Sequence, residues 1–216
     1  TYAEYQTLQS GLENAELVPF SGMVENLRMI KSPVEIEALK TACEISVKSL
    51  NDTIDHIRIG AKERDIAARL EYNMKINGSD DESFDTIVLS CIRSSLLHGK
   101  PGEKKIEEGD LVLFDFGAVY KGMHADISRC FVVGKVKNQQ QEVYGIIRNA
   151  QYESVNSIMD GVTCKDADKV VRKNIPEKYL PFYYPGLGHG VGLEVHEKPF
   201  IRHSSNCSFN HNMTIT

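Results

Sequence analysis

The sequence has 216 residues, enough for one domain with a sizeable core. Hydrophobic residues make up 41% and charged residues 25%, and the net charge of −5 is well mixed in sign; no basic run or basic amphipathic stretch is present, which argues against nucleic-acid or membrane-surface partners. No apolar run approaches the roughly 18 residues of a membrane span, the N-terminus lacks the features of a signal peptide, and the five scattered cysteines, never in a CxxC spacing, point to a reducing compartment, the cytoplasm.

Residues 1–31 carry no clear pattern. Ser32-Pro33-Val34-Glu35 is a capping box with proline at the first helical position. Ile36, Leu39, Cys43, Val47, Leu50 and Ile54 then recur at helical spacing, which predicts one long amphipathic helix. Gly60 breaks it, and a second helix is expected from about Lys62 to Ile76, closed by Asn77-Gly78. Phe84 to Cys91 reads as an apolar strand. Asp110 to Gly134 reads as a hairpin with its turn near Tyr120-Lys121-Gly122. A long helix follows Lys137, with Val143, Ile146, Ile147, Ala150, Val155 and Ile158 as its buried face. Gly161 ends it, and Lys165 to Ile175 form a further helix stopped by Pro176. The segment from Phe182 onward is strand and loop, rich in glycine.

One echo runs through this order. Gly60-Ala61-Lys62-Glu63-Arg64-Asp65 resembles Gly161-Val162-Thr163-Cys164-Lys165-Asp166, and each follows a long helix and opens a second. The matching order predicts a duplicated unit: an α+β domain of two pseudo-symmetric halves, with helices covering a curved, mainly antiparallel sheet and a site between the halves.

Asp115 lies mid-strand in the apolar run Leu111 to Val119, where an unpaired carboxylate is costly. A turn centred between Tyr120 and Lys121 sets Asp126 directly opposite it, with Cβ atoms about 4.5–5.5 Å apart. Like charges that close call for a cation between them. The hairpin alone leaves this level with the alternative that Asp126 faces solvent and backbone donors satisfy Asp115. The string Gly186-Leu187-Gly188-His189-Gly190-Val191-Gly192-Leu193-Glu194-Val195-His196 tips the balance toward metal, because glycines around His189 let backbone approach a site closely. His98, in Leu96-Leu97-His98-Gly99-Lys100-Pro101-Gly102, is the other histidine of interest. His56, His203 and His211 read as ordinary, and His124, two residues before Asp126, is closest to doubt.

Four stretches, IKSPVEIEALKTACEIS, SFDTIVLS with HGKPGE, GDLVLFDFGAVYKGMHADISRCF and GLGHGVGLEVHEKPF, resemble the pita-bread metallopeptidases, in particular the Xaa-Pro dipeptidases (prolidases) and aminopeptidase P. The resemblance implies that Asp115 is a bidentate ligand of one metal, Asp126 bridges two metals and His189 binds the second. His98 and His196 match two histidines that hold substrate and stabilise the tetrahedral intermediate. It further implies a small peptide substrate with proline in second position, hydrolysed by a water activated at a dinuclear centre, and a homodimer. Mn is the first choice of metal and Co or Zn the alternatives. Dipeptidase ranks ahead of aminopeptidase P. A methionine aminopeptidase, or a non-catalytic binding relative on the same fold, is the alternative. The resemblance places residues 1–31 as the tail of an N-terminal domain and linker, and 32–216 as the catalytic domain. It also places two further glutamate ligands beyond Thr216, so a chain ending there is expected to bind metal poorly and to be inactive. Cys91-Ile92-Arg93-Ser94-Ser95 departs from the glycine and proline that many members carry before the His98 equivalent.

Overall fold

The computed structural model describes residues 1–184 and 186–216; Pro185, within the segment read as strand and loop, lies outside them. The chain opens with α1 (Tyr2–Gly11) and α2 (Met23–Arg28), where the sequence shows no clear periodicity; neither helix buries a residue. The capping box forms as expected, with the Ser32 hydroxyl accepting from the Glu35 amide and the Glu35 carboxylate accepting from the Ser32 amide at 2.7 Å. It starts α3 (Pro33–Asn51), followed by α4 (Glu63–Ile76), which ends at Asn77 as the sequence predicts.

The buried face of α3 is not the expected one. Val47 and Ile54 are exposed, and Ala38, Ala42, Ile45, Ser46 and Ser49 are buried beside Leu39 and Leu50. Small side chains win here because the helix lies close on the sheet: the Ser46 hydroxyl accepts the Ala118 amide at 2.9 Å.

The strands are β1 (Asp81–Glu82), β2 (Ile87–Ser90), β3 (Leu111–Phe116), β4 (Ala118–Tyr120), β5 (Met123–His124) and β6 (Ile127–Val132). They pair antiparallel in the orders β1-β4-β5 and β2-β3-β6. The strand expected from Phe84 begins only at Ile87. Val112, Phe114 and Phe116 point from β3 into a core shared with Ile45 and Leu50 of α3 and Ile66, Leu70 and Met74 of α4. By alternation, Leu111, Leu113 and Asp115 take the opposite, more open face.

The hairpin register differs from expectation. Tyr120 pairs with Met123, so the turn is centred on Lys121-Gly122. Both central residues have positive φ, 50° and 76°, which is the geometry of a two-residue I′ turn. Asp115 therefore faces Ser128, and Asp126 is its diagonal neighbour rather than its direct partner. A two-residue shift keeps both carboxylates on the same face.

The second half contains α5 (Asn138–Ser157), α6 (Cys164–Asn174), β7 (Gly188–Gly190) and β8 (Glu197–Ile201). Of the face expected for α5, Ala150 is buried while Ile147 and Val155 are exposed; the helix seats on its neighbours through Ala150 and Ser154. The internal echo is structural. Gly60, Ile106 and Glu63 donate their amides to Ile106, Ala61 and Lys104; Gly161, Phe209 and Cys164 donate theirs to Phe209, Val162 and Cys207. The bridges Lys62–Lys105 and Thr163–Ser208 match in the same way. Among the described residues, no helix is long and apolar enough to cross a membrane.

Candidate metal centre

The open face of the β3–β6 hairpin carries Asp115 and Asp126, and β7 of the second half brings His189 to them. His189 stands between two glycines for a steric reason: a Cβ at Gly188 would overlap the Thr216 carbonyl, and one at Gly190 would overlap the Lys198 carbonyl. The Thr216 amide in turn donates to the His189 carbonyl at 2.9 Å, and Val191 donates to Thr214 at 3.2 Å, so the segment 213–216 runs beside β7.

The imidazole is oriented from behind. Its Nδ1 lies 3.0 Å from the Gly190 carbonyl, which can only accept, so Nδ1 carries the proton. Nε2 is left facing Asp126 Oδ2 at 3.4 Å. The His196 ring lies 4.3 Å from the His189 ring, centroid to centroid, at 55°. Asp115 Oδ1 accepts the Ser128 hydroxyl at 2.9 Å.

Electrostatics join the five residues. Burial pushes the Asp126 carboxyl up, and the adjacent Asp115 carboxylate adds to this, bringing it to about 6. Burial raises Asp115 as well, against the Ser128 hydrogen bond and the fields of His189, His196 and His98. Burial lowers His196, with His189 adding to the effect. Two half-buried carboxylates, both raised by burial and one raised further by the other, beside an imidazole whose Nε2 faces them, form a donor set that a divalent cation would satisfy. Among the described residues, no group of three or more His, Cys, Asp or Glu side chains is arranged to hold a metal ion outright. Asp115 is turned partly to Ser128, and the expected ligands converge without enclosing a common point.

His124 has a structural position, with Nδ1 3.1 Å from the Ser83 hydroxyl and its amide on the Gly192 carbonyl at 2.8 Å. Two groups near the site were not singled out from sequence. Glu197, next to His196, is buried with Lys31 and Arg28, each 2.5 Å away. Glu63, at the start of α4, is fully buried under the loop that carries His98. Neither stood out in the sequence, because Glu63 lies in the charged run Lys62-Glu63-Arg64-Asp65 and Glu197 between His196 and Lys198.

Two pseudo-symmetric halves, with carboxylates on one and an imidazole from the other meeting between them, define the pita-bread fold. The chain belongs to metallopeptidase family M24, whose model matches residues 37–216. It is 40% identical to the Xaa-Pro dipeptidase of Pyrococcus horikoshii over the whole chain and 62% of that protein. The crystal structure of X-Pro aminopeptidase from Thermotoga maritima superposes with a TM-score of 0.96 at 38% identity, covering all of this chain and 61% of that one. The prolidase structure from Pyrococcus horikoshii gives 0.95 at 39% identity, covering all of this chain and 62% of that one. The chain thus spans about three-fifths of the length of the relatives it matches. Membership of the family implies divalent metal ions.

Proposed function

We propose that residues 32–216 act as the catalytic domain of a cytoplasmic, homodimeric metallopeptidase that hydrolyses Xaa-Pro peptides, dipeptides ahead of longer ones. The observation that carries this reading is the meeting of Asp126 with His189 across the two halves, flanked by Asp115 and His196. Relatives named Xaa-Pro dipeptidase support the choice of substrate.

In this reading Asp115, Asp126 and His189 would hold divalent metal, two ions by the family resemblance. Mn is the first choice because the ligation is oxygen-rich, and Co or Zn are the alternatives. Bound there, divalent metal would supply an activated water and polarisation of the scissile carbonyl. The residues of this chain do the rest. The Gly190 carbonyl fixes the His189 tautomer so that Nε2 faces the site. His196, kept neutral near pH 7 by its lowered pKa, retains one N–H to donate toward charge developing on the substrate oxygen. His98, on the loop after β2 and close enough for its charge to act on Asp115 and His196, would offer a second donor.

The test is hydrolysis of an Xaa-Pro dipeptide by the full-length, metal-loaded protein, beside a Met-Ala peptide. Metal-dependent cleavage of the first supports the reading. Cleavage of Met-Ala alone assigns a methionine aminopeptidase instead, and no metal-dependent turnover of either overturns the enzyme reading.

A further inference from the structure

Glu63 is an unusual place for a charge. Its side chain is fully buried, and burying a carboxylate costs several kcal/mol unless its lone pairs are satisfied. Four donors satisfy it, and all four come from one loop. Oε1 accepts the Ser90 amide at 2.8 Å and the Ser90 hydroxyl at 2.9 Å. Oε2 accepts Arg93 Nε at 3.0 Å and the Gly102 amide at 3.2 Å. Arg93 then reaches across the loop, with Nη2 donating to the Lys100 carbonyl at 2.7 Å. Backbone bonds from Glu63 to Lys104 and from Arg64 to Gly102 tie the far end of the loop to the start of α4.

The loop from Ser90 to Gly102 is the one that carries His98. It leaves β2 at Ser90, which pairs with Val112, three residues before Asp115 on β3, and returns His98 close enough for its charge to act on Asp115 and His196. Its own apolar side chains do not hold it: Ile92, Leu96 and Leu97 are exposed. What holds it is the carboxylate at its base and the guanidinium bridging its arms. We propose that Glu63 and Arg93 are positioning residues that clasp this loop and set the His98 imidazole against the substrate. The proposal rests on the function given above and adds to it the means by which one of its donors is placed.

Arg93→Ala is the informative variant, because Arg93 is partly exposed and its loss spares the fold more than loss of Glu63 does. Two measurements decide. The first needs no activity: hydrogen–deuterium exchange across residues 90–102 in the full chain. Arg93→Ala is expected to speed exchange there and nowhere else; unchanged exchange overturns the clasp. The second is a kinetic cycle in the full-length, metal-loaded enzyme on an Xaa-Pro dipeptide. Arg93→Ala is expected to lower kcat about 10-fold with KM nearly unchanged, a part of the roughly 10²-fold that a 1 Å misplacement costs. In a His98→Ala background the same change is expected to cost nothing further. An equal fall in both backgrounds overturns the positioning role and leaves a general structural one. If the wild-type enzyme does not cleave Xaa-Pro dipeptides, the function is misassigned, and the exchange measurement still judges the clasp.

Discussion

His189 Nε2 and Asp126 Oδ2 lie 3.4 Å apart, although one residue belongs to the first half of the molecule and the other to the second. The separation is too long for a strong hydrogen bond and short enough for both atoms to turn onto one cation. This contact is the seam of the candidate site.

Metal affinity should depend on pH through Asp126. Its carboxyl sits at about 6, raised from an ordinary value of 3.8, and a cation binds only the deprotonated form. Apparent affinity should be level above pH 6 and fall as pH drops through it. In the metal-free chain the sign for stability is the reverse. A raised carboxyl pKa contributes stability that is fully present below 3.8 and lost as pH rises through about 6. Calorimetric titration with Mn²⁺ at several pH values checks the first point; affinity that is flat from pH 5 to 7 contradicts it.

His98→Ala and His196→Ala should act mainly on kcat. Each removes a donor aimed at developing charge, for which losses of about 10²–10³ in kcat are typical. Steady-state kinetics on an Xaa-Pro dipeptide separates this from uniform binding. A rise in KM at constant kcat would assign both histidines to ground-state binding alone.

Glu197→Gln should destabilise the fold by about 3–5 kcal/mol, because it leaves the Lys31 ammonium buried without its counter-charge. Lys31→Met should cost less, since Glu197 keeps Arg28 at 2.5 Å. Urea unfolding of the two variants ranks them. Equal midpoints would mean that the triad contributes little.

Phe114→Ala should cost about 3–5 kcal/mol. The ring is fully buried in the main core and meets Phe131 edge-on, with centroids 5.6 Å apart. Loss of less than about 1 kcal/mol in the same assay would show that the core closes over the gap.

Much of this was legible in the sequence, for identifiable reasons. The α3 start was readable because a capping box is local. The duplicated halves were readable because Gly60 and Gly161 mark the same bend twice, and the structure repeats their hydrogen bonds. That Asp115 and Asp126 share a face was readable from strand alternation, and the approach of His189 to Asp126 was implied by the family resemblance. The hairpin register was not readable, because the turn places Lys121 at a φ of 50°, which a non-glycine residue seldom adopts. Nor was the α3 face, where buried Ala and Ser answer to a close helix–sheet approach rather than to hydrophobic periodicity. Glu63 and the Lys31–Glu197 pair stayed hidden because their partners are remote in sequence, 166 positions apart for the latter.

The central claim is that Asp115, Asp126 and His189 share divalent metal. Its most direct test is calorimetric titration of Mn²⁺ into the full-length protein and its Asp126→Asn variant at pH 7.5. The expected result is saturable binding of two ions in the wild type, with binding lost or weakened at least about 10-fold in the variant, because the carboxylate that faces His189 Nε2 is removed. Binding of equal stoichiometry and affinity in the two proteins would contradict the account.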